Sequence, residues 1–218
     1  MKRILLLVGA LCLALYTGGV GHGAGDLLPI LSASISQESG NQLTLTAEAV
    51  RQDSLEGNAA SVYLTASGTS TEQLLSEIEQ MLAGQLYLSH ARTIVIDETV
   101  ARNGFSSLVQ TLLKRSDVRL TLRIAVARGV PADAIVKAQA VAEEIPGAAL
   151  GALMDAHAKH GGLPDLPLCR TADSLLSGQD FCLPALTLTA DGRVIPAGRA
   201  QFHQGQFVRF SGGEQNAR

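Results

Sequence analysis

The stretch YLSHARTIVIDE, residues 87–98, places Ser89, His90 and Arg92 together just before an apolar run. A serine beside a histidine suggests a hydrolase nucleophile and its base, because an imidazole can accept the hydroxyl proton. That chemistry needs the two side chains within hydrogen-bond reach, yet neighbours in an extended segment point to opposite faces. The sequence also has no GxSxG turn to hold the serine. We therefore interpret the segment as a polar strand entrance, with Ser89 and His90 bonding to backbone groups.

A pair of histidines forms a second candidate site. His157 and His160 are three positions apart and would share one helix face, as two metal ligands can. Asp155 is the nearest candidate for a third ligand. It lies two positions before His157 and five before His160, so on a regular helix it points in another direction. The alternative is a polar helix end whose histidines complement the helix dipole. We expect no metal site here.

Three carboxylates, Glu72, Glu77 and Glu79, lie along a predicted helix and could be proposed as an acid and base. Glutamates beside an apolar helical stripe more commonly form a solvated face, and Glu72 also suits the amino end of the helix. The glycine-rich segment 17–26 lacks the GxGxxG spacing of a dinucleotide site. The residues alone therefore show no recognisable catalytic centre, and we expect no cofactor.

The composition argues against nucleic-acid binding. The chain has 17 Lys and Arg against 20 Asp and Glu, so it carries no general basic field. It also has no Trp and only eight Phe and Tyr, which leaves no obvious platform for stacking bases.

The first 25 residues have the layout of an export signal. Lys2 and Arg3 precede an apolar run from Ile4 to Leu15, and small residues follow. The run is shorter than the roughly 20 residues that span a bilayer as a helix. We interpret residues 1–25 as a signal peptide or short membrane anchor with a glycine-rich spacer. Cys12 is a candidate for lipidation, although Leu11 stands where a lipoprotein signal normally has a small residue.

Two further cysteines, Cys169 and Cys182, are thirteen positions apart. In an exported protein such a pair can form a disulfide, which would stabilise the fold by about 3 kcal/mol in the chain-entropy model. Two free thiols give the same sequence pattern. Both alternatives remain open at this stage.

The hydrophobic pattern predicts the order of secondary structure. Three alternating segments predict strands, the first two joined by a hairpin, and a helix capped by Ser70 or Thr71 follows. The strand at 91–97, the helix at 103–117 and the strand at 118–129 form a βαβ unit, which makes the two strands parallel.

The rest of the chain is predicted to add helices and then strands. Short helices occupy 131–160, and another is capped by Thr171 or Asp173. Hairpins with turns at Asp191-Gly192 and Gln204-Gly205 close the fold. The fold class is therefore α/β (α+β): a mixed β-sheet with helices packed against it, including one βαβ unit and carboxy-terminal hairpins. We expect one domain over residues 26–210 and a disordered tail at 211–218.

The order of these segments resembles a known family. The run from SGTSTEQLL to IAVARG, residues 67–129, resembles the middle of the amino-terminal domain of the Ger(x)C family, the C subunits of bacterial spore germinant receptors. VIPAGRAQFHQGQFV, residues 194–208, also resembles a family segment that precedes a short hairpin.

The resemblance implies a non-enzymatic role. C subunits of this family are exported lipoproteins at the outer face of the cytoplasmic (inner spore) membrane. They act there with two integral membrane subunits in nutrient-triggered germination, through protein–protein surfaces. The expected partners are therefore integral membrane subunits of a germinant receptor. An extracytoplasmic small-ligand-binding module is the alternative.

Overall fold

The structure is a computed structural model that describes residues 28–37, 40–52, 59–82, 86–138 and 145–213. The predicted export segment and Cys12 lie outside the described residues. No helix in the described ranges combines the length and the apolarity needed to cross a membrane.

The described residues form one mixed sheet of nine strands. The strands are β1 Leu28–Gln37, β2 Leu43–Gln52, β3 Ala59–Gly68, β4 Leu86–Tyr87, β5 Thr93–Ile96, β6 Arg123–Ala127, β7 Phe181–Leu188, β8 Val194–His203 and β9 Gln206–Ser211. Their order is β3-β2-β1-β5-β6-β7-β8-β9, with β4 pairing the start of β1. The central strands β1, β5, β6 and β7 are parallel, and antiparallel hairpins flank them on both sides. The predicted α/β class is confirmed.

Six α-helices connect and cover the strands within the described ranges. They are α1 Thr71–Met81, α2 Glu98–Asn103, α3 Ser106–Lys114, α4 Ala132–Val136, α5 Pro146–Lys159 and α6 Leu168–Ser177. A short 3-10 helix, Leu88–His90, separates β4 from β5. Ser70 caps α1 as predicted, its side chain accepting a hydrogen bond from the Gln73 N–H.

Helices pack on both faces of the sheet, so the core has two parts. On one face, residues of α1, α3 and α6 pack against Ile94, Ile96, Ile124 and Val126 of β5 and β6. On the other face, residues of α4 and α5 pack against a smaller apolar cluster of the same strands. Successive side chains along each strand point to opposite faces, so neighbouring residues of one strand belong to different parts of the core.

The βαβ unit is present, but its details differ from the prediction. β5 and β6 pair in parallel, with Ile94 opposite Ile124. The crossover contains two helices, because Gly104, at φ +94°, ends α2 before α3 begins. β6 starts at Arg123 and not at 118, since the chain turns sharply after Asp117.

The end of the chain also follows the predicted pattern with one correction. Both carboxy-terminal hairpins are present with turns at the predicted dipeptides. The predicted cap of α6 was wrong: the helix begins earlier, with Pro167 at the cap position, and Thr171 lies inside it and donates to the Pro167 carbonyl. Cys169 and Cys182 are two free thiols in the structure, the first exposed in α6 and the second half-buried in β7.

Candidate functional site

A row of polar residues crosses the sheet on the face covered by α5. Strand pairing aligns Tyr63 with Glu48, Glu48 with Ser32, Ser32 with Thr93, and Thr93 with Arg123. Paired residues on neighbouring strands point to the same face of a sheet. These five residues, which we call the polar row, therefore form one line from β3 to β6.

Helix α5 lies over the polar row because small residues face it. A methyl group at Gly147 would lie 2.3 Å from Glu48 Oε2 and 2.9 Å from Ser32 Oγ, so the helix backbone touches this end of the row. One turn later Gly151 faces the stem of Arg92, and two turns later Asp155 binds Arg92 and Arg123. Spacing by four keeps these three positions on one helix face, and eight residues advance about 12 Å. That length matches the roughly 14 Å across the three strand spacings from β2 to β6.

Glu48 is the buried carboxylate of the polar row, with no exposed surface. Its two oxygens accept hydrogen bonds from Ser32 Oγ at 2.6 Å and from Ser61 Oγ at 2.7 Å. The amino end of α5, at Gly147, also lies against it, and the partial positive charge of a helix amino end favours a carboxylate. Burial and the nearby Glu48 raise the pKa of Tyr63, the next residue of the row. The arrangement is a buried acidic side chain whose two oxygens accept hydrogen bonds from neutral hydroxyl groups.

Thr93 occupies the middle of the polar row and is fully buried. Its hydroxyl makes no hydrogen bond to any other described residue. An unsatisfied buried hydroxyl costs free energy, so the row is not fully stabilised by its own contacts.

The other end of the row is a network of ion pairs. Asp155 binds Arg92 through one oxygen and, at 2.7 Å, Arg123 through the other. Arg123 Nε also contacts Asp165 at 2.7 Å. Burial opposes ionisation of Asp155, but the hydrogen bond from Arg123 and the two nearby positive charges hold its pKa below the usual value. Asp155 therefore stays charged and fixes two guanidinium groups beside each other.

A cavity of about 200 Å³ lies next to this network. Its wall contains three arginines, Arg92, Arg119 and Arg123, together with Asp155. The remaining lining residues are Ala91, Thr121 and Leu122. We call this space the arginine pocket. It lies at the amino ends of β5 and β6, next to the segment 87–98.

Within the described ranges, the Ser89 and His90 side chains make no hydrogen bond to each other, and the backbone bonds predicted for them are absent too. The two residues lie in the 3-10 helix, where Ser89 is half-buried and His90 is exposed. Among the described residues, the only hydrogen bond, ion pair or ring contact of these two side chains is that of the His90 ring with the Tyr87 ring, at 5.9 Å between centroids. The backbone here is instead held by Asp117, whose Oδ2 accepts from the Leu88 N–H at 3.1 Å.

Asp117 is tied down by a neighbouring arginine as well. Arg115 Nε lies 2.8 Å from Asp117 Oδ1, and Arg115 Nη1 lies 2.9 Å from Glu79. Burial raises the pKa of Asp117, but the hydrogen bonds from Arg115 and from the Leu88 N–H outweigh it, so the pKa falls below the usual value. Glu79, one of the three carboxylates of α1 considered above, therefore forms an ion pair with Arg115.

We expect acid to weaken the fold through Asp117. Its pKa is lower in the folded state than in the unfolded state, so its contribution is complete above about pH 4 and is lost as the pH falls through the folded value. Asp117→Asn removes this contribution. The variant should be less stable at pH 7, and its stability should depend less steeply on pH below 4. Urea unfolding at several pH values measures both; parallel curves for the two proteins would contradict the assignment.

The remaining candidate residues are dispersed. Glu72 accepts from Thr111 Oγ1, and this bond lowers the pKa of Glu72, while Glu77 accepts from Gln73. His157 is half-buried and His160 is exposed. In the described ranges, no three His, Cys, Asp or Glu side chains are grouped to hold a metal ion. Asp155 points away from the histidines, as its helix position predicted, and contacts the arginines instead.

The sequence interpretation missed the whole polar row and two of the three pocket arginines. Arg92 was noticed, but Arg119 and Arg123 were not. One local signal was available. A repeat of four residues places Gly147, Gly151 and Asp155 on one face of a helix that is otherwise rich in Ala and Leu. Two glycines followed by an aspartate indicate a helix face that packs closely against its neighbour and has a charged residue at one end.

Comparison with known proteins supports the resemblance seen in the sequence. Residues 25–188 match the family described as the spore germination protein N-terminal domain. A relative, YfkR of Bacillus subtilis strain 168, is named for spore germination and is 32% identical over 82 residues, which are 38% of this chain and 21% of the relative. The match thus spans about a fifth of that longer protein. No solved structure matches the chain. Since the family match covers most of the sequence, the chain belongs to the spore germination protein N-terminal domain family.

Proposed function

We propose that this protein is an exported, non-enzymatic accessory subunit of a germinant-receptor-like complex. In this role it contributes to nutrient-triggered spore germination through contacts with integral membrane subunits at the outer face of the cytoplasmic (inner spore) membrane. It is anchored there or bound peripherally. The observation that carries the proposal is the family match over residues 25–188, which supports a role in germination.

Two further features agree with this role. The first 25 residues have the basic and apolar layout of an export signal. The sheet also has two edges, β3 and β9, without a further strand partner among the described residues. An open edge can pair with a strand of another protein. On β9, Val208 is 53% exposed, which would add an apolar contact to such pairing.

Co-purification from spore membranes tests the partner contacts. The tagged protein is isolated in mild detergent from the inner membrane of spores, and the bound proteins are identified by mass spectrometry. A tagged exported protein of unrelated fold serves as the control. We expect an integral membrane protein to be enriched only with the germination protein. If the tagged germination protein is absent from spores, or is recovered without a membrane partner, the proposal is overturned.

A further inference from the structure

The arginine pocket has more positive charge than its own ion pairs neutralise. Three guanidinium groups and one carboxylate line it, and Asp165 contacts Arg123 from outside the lining. Arg119 is exposed and forms no ion pair with any other described residue. The pocket therefore keeps an excess of positive charge after every ion pair within the described ranges is counted.

The pocket arginines also keep hydrogen-bond donors available. A guanidinium group carries five N–H donors. The contacts with Asp155 and Asp165 use one terminal nitrogen of Arg92, and one terminal nitrogen and Nε of Arg123. Guanidinium groups bind carboxylates and phosphates through paired N–H donors. Donors that remain beside a polar cavity are suited to a small oxyanion.

The arrangement is held in place before any ligand binds. The backbone of Arg92 is fixed on both sides, donating to the Leu31 carbonyl at 3.1 Å and accepting from the Arg123 N–H at 3.0 Å. The stem of Arg92 lies against Gly151, where a methyl group would approach Cδ to 3.0 Å. The side chain of Arg123 is only 17% exposed. Two of the three guanidinium groups are thus preorganised, which lowers the entropic cost of binding.

We propose that the arginine pocket binds a small, soluble molecule through a carboxylate or phosphate group. The volume of about 200 Å³ lies below the roughly 300–1,000 Å³ of pockets for drug-sized ligands, so the ligand is small. Arg119 contacts the anion directly, and Arg92 and Arg123 form the preorganised wall. The site does not depend on the receptor-subunit role, which concerns partner proteins.

Calorimetric titration with inorganic phosphate and with malonate tests the site, at an ionic strength held constant with chloride. We expect the wild-type protein to bind at least one of the two. Arg119→Gln should weaken that binding about tenfold or more, because a charge-assisted contact is lost. Its thermal stability without ligand should not change, since Arg119 makes no ion pair among the described residues. Arg199→Gln removes an exposed arginine of β8 outside the pocket and should bind like the wild type.

Three results would overturn the proposal. The first is no binding of either anion to the wild-type protein at millimolar concentration. The second is equal weakening by the Arg119 and Arg199 substitutions, which would indicate a general charge effect. The third concerns the source of the anion. If the protein sediments with vesicles of anionic phospholipid, phosphate does not compete, and Arg119→Gln abolishes sedimentation, the pocket binds a lipid headgroup and not a soluble molecule.

Discussion

Replacing Gly147 with alanine is expected to lower the free energy of unfolding by about 3 kcal/mol, at the upper end of the usual cost of overpacking. The added methyl group would lie 2.3 Å from Glu48 Oε2 and 2.9 Å from both Leu31 Cβ and Ser32 Oγ. Helix propensity alone predicts the opposite sign, since alanine is favoured over glycine in a helix by about 1 kcal/mol. Either α5 moves away from the sheet or Glu48 loses its hydrogen bonds.

The same substitution at Gly151 is the matched control. It adds the same methyl group one turn later on the same helix face, 3.0 Å from Arg92 Cδ. The contact is with the stem of an arginine that is 46% exposed, so a shift of a few tenths of an ångström relieves it while the ion pair with Asp155 is kept. Gly151→Ala should therefore change stability by less than about 1 kcal/mol. Guanidinium unfolding of both variants gives the comparison. Equal effects at the two positions would contradict the close packing of α5 on Glu48.

Replacing Glu48 with alanine is expected to cost about 3 kcal/mol of stability. The change leaves two hydroxyl donors, those of Ser32 and Ser61, without the carboxylate that accepts from them. Ser32 is itself fully buried, so its hydroxyl would be left unsatisfied. A buried donor without a partner costs about 1–3 kcal/mol, and the space left by the glutamate side chain adds a cavity term.

Glu48→Gln keeps the size of the side chain and separates these two causes. One serine hydroxyl can go on donating to the amide oxygen, while the other rotates and accepts from the amide nitrogen, so most of the hydrogen bonding survives. We expect this variant to lose about 1 kcal/mol, well under the alanine value. Urea unfolding measures both. If Glu48→Ala were as stable as the wild type, the buried carboxylate would not hold β1, β2 and β3 together.

Local patterns were enough to predict most of the fold. The alternation of apolar residues in β1 and β2, the Ser70 cap of α1 and the two dipeptide turns each depend on a few neighbouring residues, and each was confirmed. The six-residue helix α2 was missed because it is too short to show a helical period. The start of β6 was placed five residues early, since its limit is set by the turn after Asp117.

The candidate site depends on contacts between distant parts of the chain, so the sequence did not predict it. Glu48 alternates with Leu45, Ala47 and Ala49 along β2, a pattern that normally places the polar residue in water. It is buried because α5, a hundred residues later, covers that side of the strand. The βαβ pattern predicted that β5 and β6 are parallel, but no local pattern contains the register that aligns Thr93 with Arg123 or the pairing of Ser32 with Thr93. In the segment 87–98, the predicted backbone bonds of Ser89 and His90 are absent among the described residues, and the charged contact belongs to Arg92.

The most direct measurement of the proposed role is the germination of spores that lack this gene. Spores are challenged with nutrients and, separately, with a physical trigger that bypasses nutrient receptors. We predict slower germination with nutrients, unchanged germination with the physical trigger, and rescue by the wild-type gene or Gly151→Ala but poorer rescue by Gly147→Ala. Equal germination of mutant and wild-type spores with every nutrient tested, or a defect with both triggers, would contradict a role in a germinant-receptor-like complex.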